Sequence, residues 1–261
     1  MNLDLTGKKA LVCGSTQGLG LASAIELALL GCSIVLFARN EESLKETLAT
    51  LDTTKKQQHS YLVADFTNTA AVKTTIEKFI ANNTLHILVN NTGGPAGGTI
   101  MEARETEFLS AFNNHLINNH NIVQALVPGM KKAGFGRIIN VISTSVKAPL
   151  QGLGVSNTIR AAVANWAKTL ATELGIFGIT VNNVLPGFTQ TVRADYVIKN
   201  KAEKMGKTQE EALKELVAEI PVGRIGQPEE FGAAVAFLCS PAAAYINGIN
   251  LPVDGGRLVC L

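Results

Sequence analysis

Short apolar runs alternate with longer helical patterns along the whole chain. The runs are rich in Val, Ile and Leu, as buried strands are, and the segments between them repeat apolar residues at helical spacing. This alternation is typical of βαβ units on a parallel sheet. The predicted strands are Ala10 to Cys13, Ser33 to Phe37, Tyr61 to Val63, Ile87 to Asn90, Arg137 to Ile142, Thr180 to Leu185 and Ile249 to Val253.

The segments between these strands predict helices on both faces of the sheet, because parallel crossovers keep one hand. We therefore expect an α/β fold: a single-domain, doubly wound (Rossmann) parallel sheet of seven strands that takes up residues 1–261. The predicted helices are Leu19 to Leu30, Glu41 to Leu51, Ala70 to Ala81, Glu105 to Lys132, Ser156 to Leu174, Thr208 to Ala218 and Pro228 to Leu238.

Residues 189–221 interrupt the alternation. The segment is charged, has no strand pattern, and carries the predicted helix from Thr208 to Ala218. It follows the carboxyl end of a strand, where ligands bind in open α/β sheets. Long ordered loops are usually functional, so we expect a substrate lid; the alternative is a solvated surface insertion.

Composition and charge narrow the function classes. The formal net charge is +2 and the basic residues are scattered, so we expect no nucleic-acid partner. No apolar run approaches the roughly 20 residues of a membrane span, and the charged N-terminal residues do not form a signal peptide. The four cysteines lack metal-ligand spacing, so we expect no metal, reduced thiols and a cytoplasmic protein.

A glycine turn follows the first predicted strand and opens the first predicted helix, which is the context of a dinucleotide site. The first glycine allows a tight turn, the second lets backbone N–H groups approach a pyrophosphate, and the third allows the helix to pack closely on the strand. The predicted cofactor-binding residues of this turn are Gly14, Ser15, Gln17, Gly18, Leu19 and Gly20.

The end of the second strand indicates which nicotinamide cofactor is bound. An acidic residue there would accept hydrogen bonds from the ribose of NAD, but this chain has Ala38 and Arg39. An arginine can pair with the 2′-phosphate of NADP, so we expect NADP(H). NAD stays possible, because Gln17 adds no second positive charge.

Three further motifs carry a family resemblance. Asn90-Asn91-Thr92-Gly93 follows the fourth strand, Pro186-Gly187 the sixth, and Val253-Asp254-Gly255-Gly256 lies near the end. With the glycine turn, these motifs make the chain similar to the short-chain dehydrogenase/reductase family, most of all to 3-oxoacyl-[acyl-carrier-protein] reductases. Two departures are Cys13 in place of the usual threonine and Thr92 in place of the usual alanine.

The resemblance implies further cofactor residues and an assembly. Positions 65 and 66 fall where the family holds the adenine, and the asparagine–glycine motif flanks the cofactor. The turn after the sixth strand receives the nicotinamide carboxamide. Members commonly form homo-oligomers, so a dimer or tetramer is expected. The residues concerned are Asp65, Phe66, Asn91, Gly93, Pro186, Gly187 and Thr189.

At the catalytic positions the chain departs from the family pattern. Ser143 stands where the resemblance implies a serine that holds the substrate oxygen. Ser156 and Arg160 occupy the positions of the catalytic tyrosine and lysine, and His115 occupies that of an asparagine on the long helix. Ser156 and Arg160 are i and i+4, so they project from one helix face.

The substituted side chains have different chemistry from those they replace. A serine hydroxyl is a much weaker acid than a phenol, and a guanidinium does not release a proton, so we expect Arg160 to position the cofactor. His115 and Lys147 are alternative proton donors, since imidazole titrates near neutral pH and the lysine follows the fifth strand. The structural alternative is a hydrogen-bonded helix histidine and a solvated loop lysine.

Two functions follow from these patterns. The first is an NADP(H)-dependent oxidoreductase that reduces a small-molecule carbonyl, such as a 3-oxoacyl thioester, to an alcohol with atypical acid–base residues. The second is a catalytically impaired dinucleotide-binding protein that acts as a sensor or as a partner subunit. The family motifs and Ser143 favour the first, and the missing tyrosine favours the second.

Overall fold

The computed structural model describes residues 1–260. Within this range one seven-stranded parallel sheet has the order β3-β2-β1-β4-β5-β6-β7, which confirms the predicted doubly wound fold. The order reverses direction between β1 and β4, and ligands of such folds bind at this point. The strands are β1 (Lys9–Cys13), β2 (Ser33–Ala38), β3 (Ser60–Val63), β4 (Ile87–Asn90), β5 (Gly136–Val141), β6 (Ile179–Pro186) and β7 (Asn250–Val253).

Helices cover both faces of the sheet. No helix in the described part of the chain is both long and apolar enough to cross a membrane. The α-helices are α1 (Gly18–Leu29), α2 (Glu41–Thr50), α3 (Thr69–Ile80), α4 (Glu105–Phe112), α5 (Asn118–Ala133), α6 (Gly154–Leu174), α7 (Val192–Met205), α8 (Gln209–Ala218) and α9 (Pro228–Cys239).

The long helix predicted over Glu105 to Lys132 is in fact divided. Between α4 and α5 the backbone forms a π-helical turn over Asn113–Ile117. A π turn holds one more residue than an α turn, so it rotates the side chains that follow it. The apolar repeat of the sequence does not reveal this insertion, because the helix axis continues through it.

The core lies in two layers because neighbouring residues of each strand point to opposite faces. Ala10 and Val12 of β1 pack with α1 and α9 on one face. Leu11 and Cys13 pack with α3, α5 and α6 on the other. Both layers are fully buried at the centre of the sheet, which fixes the register of β1 and therefore the place of the glycine turn after it.

Candidate active site

The glycine turn joins the end of β1 to α1. Gly14 and Gly18 adopt φ angles of 57° and 55°, a left-handed conformation that favours glycine. A Cβ on Gly14 would lie 2.7 Å from the carbonyl oxygen of Asn91, and one on Gly20 would lie 2.1 Å from that of Gly14. These two positions are therefore closed by the protein itself. At Gly18 a Cβ would meet only Thr191, at 3.4 Å, so the turn and the segment after β6 face each other here.

The start of α1 is suited to a phosphate group. Gln17 is the N-cap but makes no side-chain capping bond, and the first turn holds no acidic residue. The first backbone N–H groups of the helix therefore keep their hydrogen-bonding capacity, and the helix dipole adds partial positive charge. These residues fit the pyrophosphate of a dinucleotide, which the glycine cradle would hold.

Two residues predicted in the turn use their side chains elsewhere. Ser15 is buried, and its Oγ accepts a hydrogen bond of 3.0 Å from the backbone N–H of Phe37. The side chain of Leu19 packs against the core layer of α1. Both can therefore serve a cofactor through the backbone, whereas Gln17 is exposed beside the turn.

At the end of β2 the guanidinium of Arg39 is exposed and makes no ion pair within 4 Å inside residues 1–260. The exposed Asp65 follows β3 nearby. Hydrogen bonds from Thr67 hold the pKa of its carboxyl below the usual value, and the charge of Arg39 adds a smaller effect. Asp65 therefore lies near Arg39 without forming an ion pair with it, and the guanidinium stays available for a phosphate.

Phe66 and Asn118 form the wall next to Asp65. The Phe66 ring packs against Phe37 with centroids 5.0 Å apart, and its carbonyl oxygen accepts a 2.7 Å hydrogen bond from Nδ2 of Asn118. Phe66 therefore shapes this wall from the core side. Asn118 is a supporting residue that the sequence analysis missed, since its partner is 52 positions away.

Asn91 ties the loop after β4 to the glycine turn. Its Nδ2 donates to the carbonyl oxygens of Cys13 and Gly14 at 3.2 and 3.1 Å. Asn90, its neighbour, begins a buried row of amide hydrogen bonds that runs through Asn140 and Asn183 to Asn250. The row joins β4, β5, β6 and β7 side by side, from Asn90 at the carboxyl end of β4 to Asn250 at the start of β7, so it ties these strands firmly to one another.

The turn after β6 is equally tight. The Gly187 N–H donates to the carbonyl oxygen of Val253, and a Cβ on Gly187 would lie 2.5 Å from Asp254 Cα. Thr189 is buried and forms an isolated parallel bridge with Gly226. Exposed Gly93 lies on the neighbouring loop after β4. These contacts bring the implied nicotinamide turn to the same edge of the sheet as the glycine turn.

The segment 189–221 contains two helices where one was predicted. The missed helix is α7, which begins at a Thr191 cap and buries Ala194, Ile198 and Ala202. Ile198 and Ala202 pack with Ala212 of α8, so the two helices form a small apolar unit of their own. The short pattern of small and charged residues in α7 hid its helical period.

Ser143 follows β5 and begins a turn of 3₁₀-helix, in which its Oγ accepts a 3.0 Å hydrogen bond from the N–H of Ser145. The hydroxyl proton of Ser143 is left for another acceptor. Lys147 ends this turn and is exposed. Ser156 is half-buried near the start of α6, which packs against the same turn.

Arg160 is the most deeply buried of the charged side chains predicted for the site, which also include Arg39, Asp65 and Lys147. It is 8% exposed, and its Nη1 donates a 2.9 Å hydrogen bond to the carbonyl oxygen of Val141. A Cβ on Gly94 would lie 3.8 Å from its Nη2. Burial lowers its pKa to about 10, so it stays a cation at neutral pH. It has no carboxylate partner within 4 Å in the described residues.

His115 lies in the π turn and is buried. Its Nδ1 is 2.6 Å from Oγ1 of Thr92, and burial, with a smaller effect of the Arg160 charge, lowers its pKa to about 3. The expectation that this ring titrates near neutral pH is therefore wrong. Sequence alone does not show that Thr92 contacts His115, because the two residues are 23 positions apart.

The tyrosines lie elsewhere. The Tyr61 hydroxyl donates to Glu41 at the far side of β3. Tyr196 is exposed on α7, and Tyr245 is fully exposed beyond α9. Since the chain has only these three tyrosines, no phenol stands on the catalytic helix.

The doubly wound sheet and its glycine turn are typical of dinucleotide-binding proteins, and comparison with known proteins makes the class specific. The profile of the family described as enoyl-(acyl carrier protein) reductase matches residues 14–257. A 3-oxoacyl-[acyl-carrier-protein] reductase of Pseudomonas aeruginosa is 33% identical over 257 residues, which covers 97% of this chain and 98% of that protein.

Solved structures give the same result. L-sorbose reductase of Gluconobacter frateurii, solved with NADPH and L-sorbose, is 32% identical with a TM-score of 0.93, and all of both chains is covered. An actinorhodin polyketide ketoreductase variant, solved with NADPH, is 30% identical with a TM-score of 0.88 over 96% of this chain and 97% of that one. The chain belongs to the short-chain dehydrogenase/reductase family, and the predicted class of NAD(P)-dependent oxidoreductase is confirmed.

Proposed function

We propose that the chain is an NADP(H)-dependent carbonyl reductase in which Ser143 keeps its usual role, while Arg160 and His115 stand in for the usual tyrosine and lysine machinery. The observation that carries the proposal is the dinucleotide cradle: the uncapped start of α1 and the closely packed Gly14 and Gly20 lie at the same edge of the sheet as Arg160, a buried cation without a carboxylate partner. This cradle lies at the same edge of the sheet as Ser143, which suits a reaction on the nicotinamide of a bound cofactor.

Arg39 supports NADP(H) as the cofactor, since its guanidinium can pair with a 2′-phosphate while Asp65 is already held by Thr67. The NADPH bound to the sorbose reductase and to the ketoreductase agrees with this choice. NAD(H) is expected to bind more weakly, because it lacks the group that Arg39 recognises.

When bound, NADPH would supply the hydride that a carbonyl carbon accepts. The chain's own residues hold and polarise the carbonyl oxygen. Ser143 keeps a free hydroxyl proton for it, and the Arg160 charge lowers the free energy of negative charge that develops there. Ser156 is too weak an acid to replace a phenol, so it serves as a hydrogen-bonding wall.

The substrate class is a small carbonyl compound, with 3-oxoacyl thioesters the first to test because of the Pseudomonas relative. The α7–α8 unit is the lid over this substrate, since it is rooted at Thr189 and faces the glycine turn at Thr191. We place the protein in the cytoplasm as a dimer or tetramer, whose contacts would cover exposed Leu109 and Phe112 on α4.

Calorimetry followed by an assay panel tests the proposal. NADPH and NADH are titrated against the protein, and NADPH oxidation is then followed with ketones, quinones and 3-oxoacyl thioesters. Saturable oxidation with one of these classes, abolished in Gly18→Val, is the expected result. Tight NADPH binding without turnover of any carbonyl would contradict the proposal.

The absence of a phenol from the catalytic helix favours a second candidate, a dinucleotide-binding sensor or partner subunit. Such a protein would bind NADPH through the same cradle and leave it unoxidised. The calorimetry and assay panel therefore separate the two functions without a further experiment.

A further inference from the structure

Three of the positions at which the chain departs from the family pattern touch or influence one another. Thr92 lies after β4, His115 in the π turn and Arg160 on α6, so they come from three separate elements. Thr92 Oγ1 and His115 Nδ1 are 2.6 Å apart, and the Arg160 charge acts on the imidazole. Thr92, His115 and Arg160 can therefore act on one another directly.

The π turn gives His115 its place. It spans Asn113–Ile117, with the histidine at its centre, and such turns occur frequently at functional sites. His115 is only 2% exposed, yet its Nε2 makes no hydrogen bond to a residue of the described range and is not one of the sealed, unpartnered polar atoms. That nitrogen therefore keeps its hydrogen-bonding capacity for a group outside the described residues.

We propose that Thr92 holds His115 as a neutral imidazole with its proton on Nε2, and that this N–H donates a hydrogen bond to the substrate carbonyl oxygen. Thr92 is then a positioning residue and His115 a catalytic one. The proposal rests on the proposed reductase function and names the group that polarises its carbonyl.

The protonation state follows from the surroundings of the ring. A second proton would create a buried cation beside the Arg160 guanidinium, which accepts no hydrogen bond, so the ring carries one proton. The Thr92 hydroxyl can either donate to Nδ1 or accept from it; our proposal assigns the hydroxyl as the donor, which leaves the single ring proton on Nε2. Support of a ring nitrogen by a neighbouring hydroxyl sets the tautomer and the orientation together.

The reaction then balances without proton loss from the ring. NADPH, when bound, would supply the hydride and be oxidised to NADP⁺: its nicotinamide C–H bond would break as the new C–H bond forms on the carbonyl carbon, and the π-electron pair of the carbonyl moves to oxygen. The resulting oxyanion accepts the hydrogen bond of Nε2–H and feels the Arg160 charge. It then takes a proton from water, which leaves hydroxide. A neutral imidazole is suited to this task, because it donates a hydrogen bond without becoming an acid that must be recharged.

Nitrogen NMR of the protein tests the Thr92–His115 pair and requires no turnover of a substrate. Long-range proton–nitrogen spectra of uniformly ¹⁵N-labelled wild type, free and with NADPH, are compared with His115→Asn to assign the ring among the four histidines. We expect a neutral ring protonated at Nε2 and unchanged from about pH 5 to pH 9. Thr92→Val should mix the tautomers, and Thr92→Ser should restore the single form. A ring that is protonated at Nδ1, or that titrates near neutral pH, would overturn the proposal.

Kinetics test the catalytic part on the substrate found by the assay panel. We expect Thr92→Val to lower kcat about 10-fold to 100-fold with little change in the KM for NADPH, and Thr92→Ser to recover most of the loss. An unchanged kcat in Thr92→Val would overturn the catalytic role of the Thr92–His115 pair. Absence of turnover in the wild type would refute the reductase function and with it the catalytic role of His115, whereas the NMR result would still decide the tautomer.

Discussion

In the cofactor half of the molecule, around β1 and α1, the protein's own backbone requires glycine at two positions, while in the catalytic half that we propose around β5 and α6 the site side chains stand on a regular helix. In the first half a Cβ on Gly14 or Gly20 would enter backbone atoms of the protein itself. In the second half Ser156 and Arg160 lie on a regular helix that accepts many side chains.

The two halves differ in what determines the residues at their sites. The cradle depends on backbone shape, so its residues are fixed by packing even before a cofactor binds. The catalytic half depends on side-chain chemistry, which can be exchanged as a set. In our proposal Thr92, His115 and Arg160 form such a set, in which Thr92 contacts His115 and the Arg160 charge acts on the imidazole.

The largest effect on turnover is expected when the residues of the catalytic helix α6 are returned to the family pattern. Ser156→Tyr with Arg160→Lys should raise turnover of a simple 3-oxoacyl thioester by about 10² to 10⁴, the usual contribution of general acid catalysis. Neither single change should suffice, since the phenol needs the ammonium to lower its pKa. Wild-type turnover equal to that of the double variant would show that another residue already supplies this chemistry.

The cofactor half should instead fail when its open position is filled. Gly18→Val is expected to weaken NADPH binding at least about 100-fold, or about 2.7 kcal/mol, because the side chain fills the gap between the turn and Thr191. Gly134→Val is the matched control: its φ is 59° and a Cβ there meets nothing within 4 Å, at the far end of α5. An equal loss of NADPH affinity in both variants, measured by calorimetry, would show that the cofactor does not bind at this turn.

Arg39 sharpens the comparison within the cofactor half. Arg39→Ala should weaken NADPH binding about 10-fold to 100-fold and leave NADH binding unchanged, because only NADPH carries the 2′-phosphate. The two cofactors serve as controls for each other in one titration series. Equal weakening of both would mean that Arg39 supports the fold of the site.

Acid should lower the free energy of unfolding through His115 in the catalytic half. The pKa of His115 is about 3 in the fold against 6.5 in an unfolded chain, so the unfolded state binds the extra proton first. The stability that this group contributes is complete above pH 6.5 and is lost as the pH falls toward 3. Between pH 7 and 5 the wild type should lose about 2 kcal/mol more than His115→Asn in urea unfolding. Parallel losses in the two proteins would contradict a buried neutral ring.

Much of the fold was predictable because strand periodicity and glycine placement are local signals. All seven strands were located, and Gly14, Gly18 and Gly20 fell in the predicted turn. The π turn and α7 were not predicted, since the first leaves the apolar repeat intact and the second buries mainly small side chains.

The site was predictable as a set of positions but not as a network. Sequence spacing aligned His115 and Arg160 with the family pattern, yet the contact of His115 with Thr92 and its buried environment depend on tertiary packing. That packing moved the pKa of His115 away from neutral pH, which no local pattern indicates.

The most direct measurement follows a label from the cofactor half to the catalytic half. The protein is loaded with NADPH that carries deuterium at the transferable position of the nicotinamide, and each carbonyl of the panel is added in a single-turnover mixture. The account predicts that mass spectrometry finds one deuterium on the alcohol carbon of a product, formed well above the rate in buffer and absent with Gly18→Val. Bound, labelled NADPH that transfers deuterium to no carbonyl would contradict it.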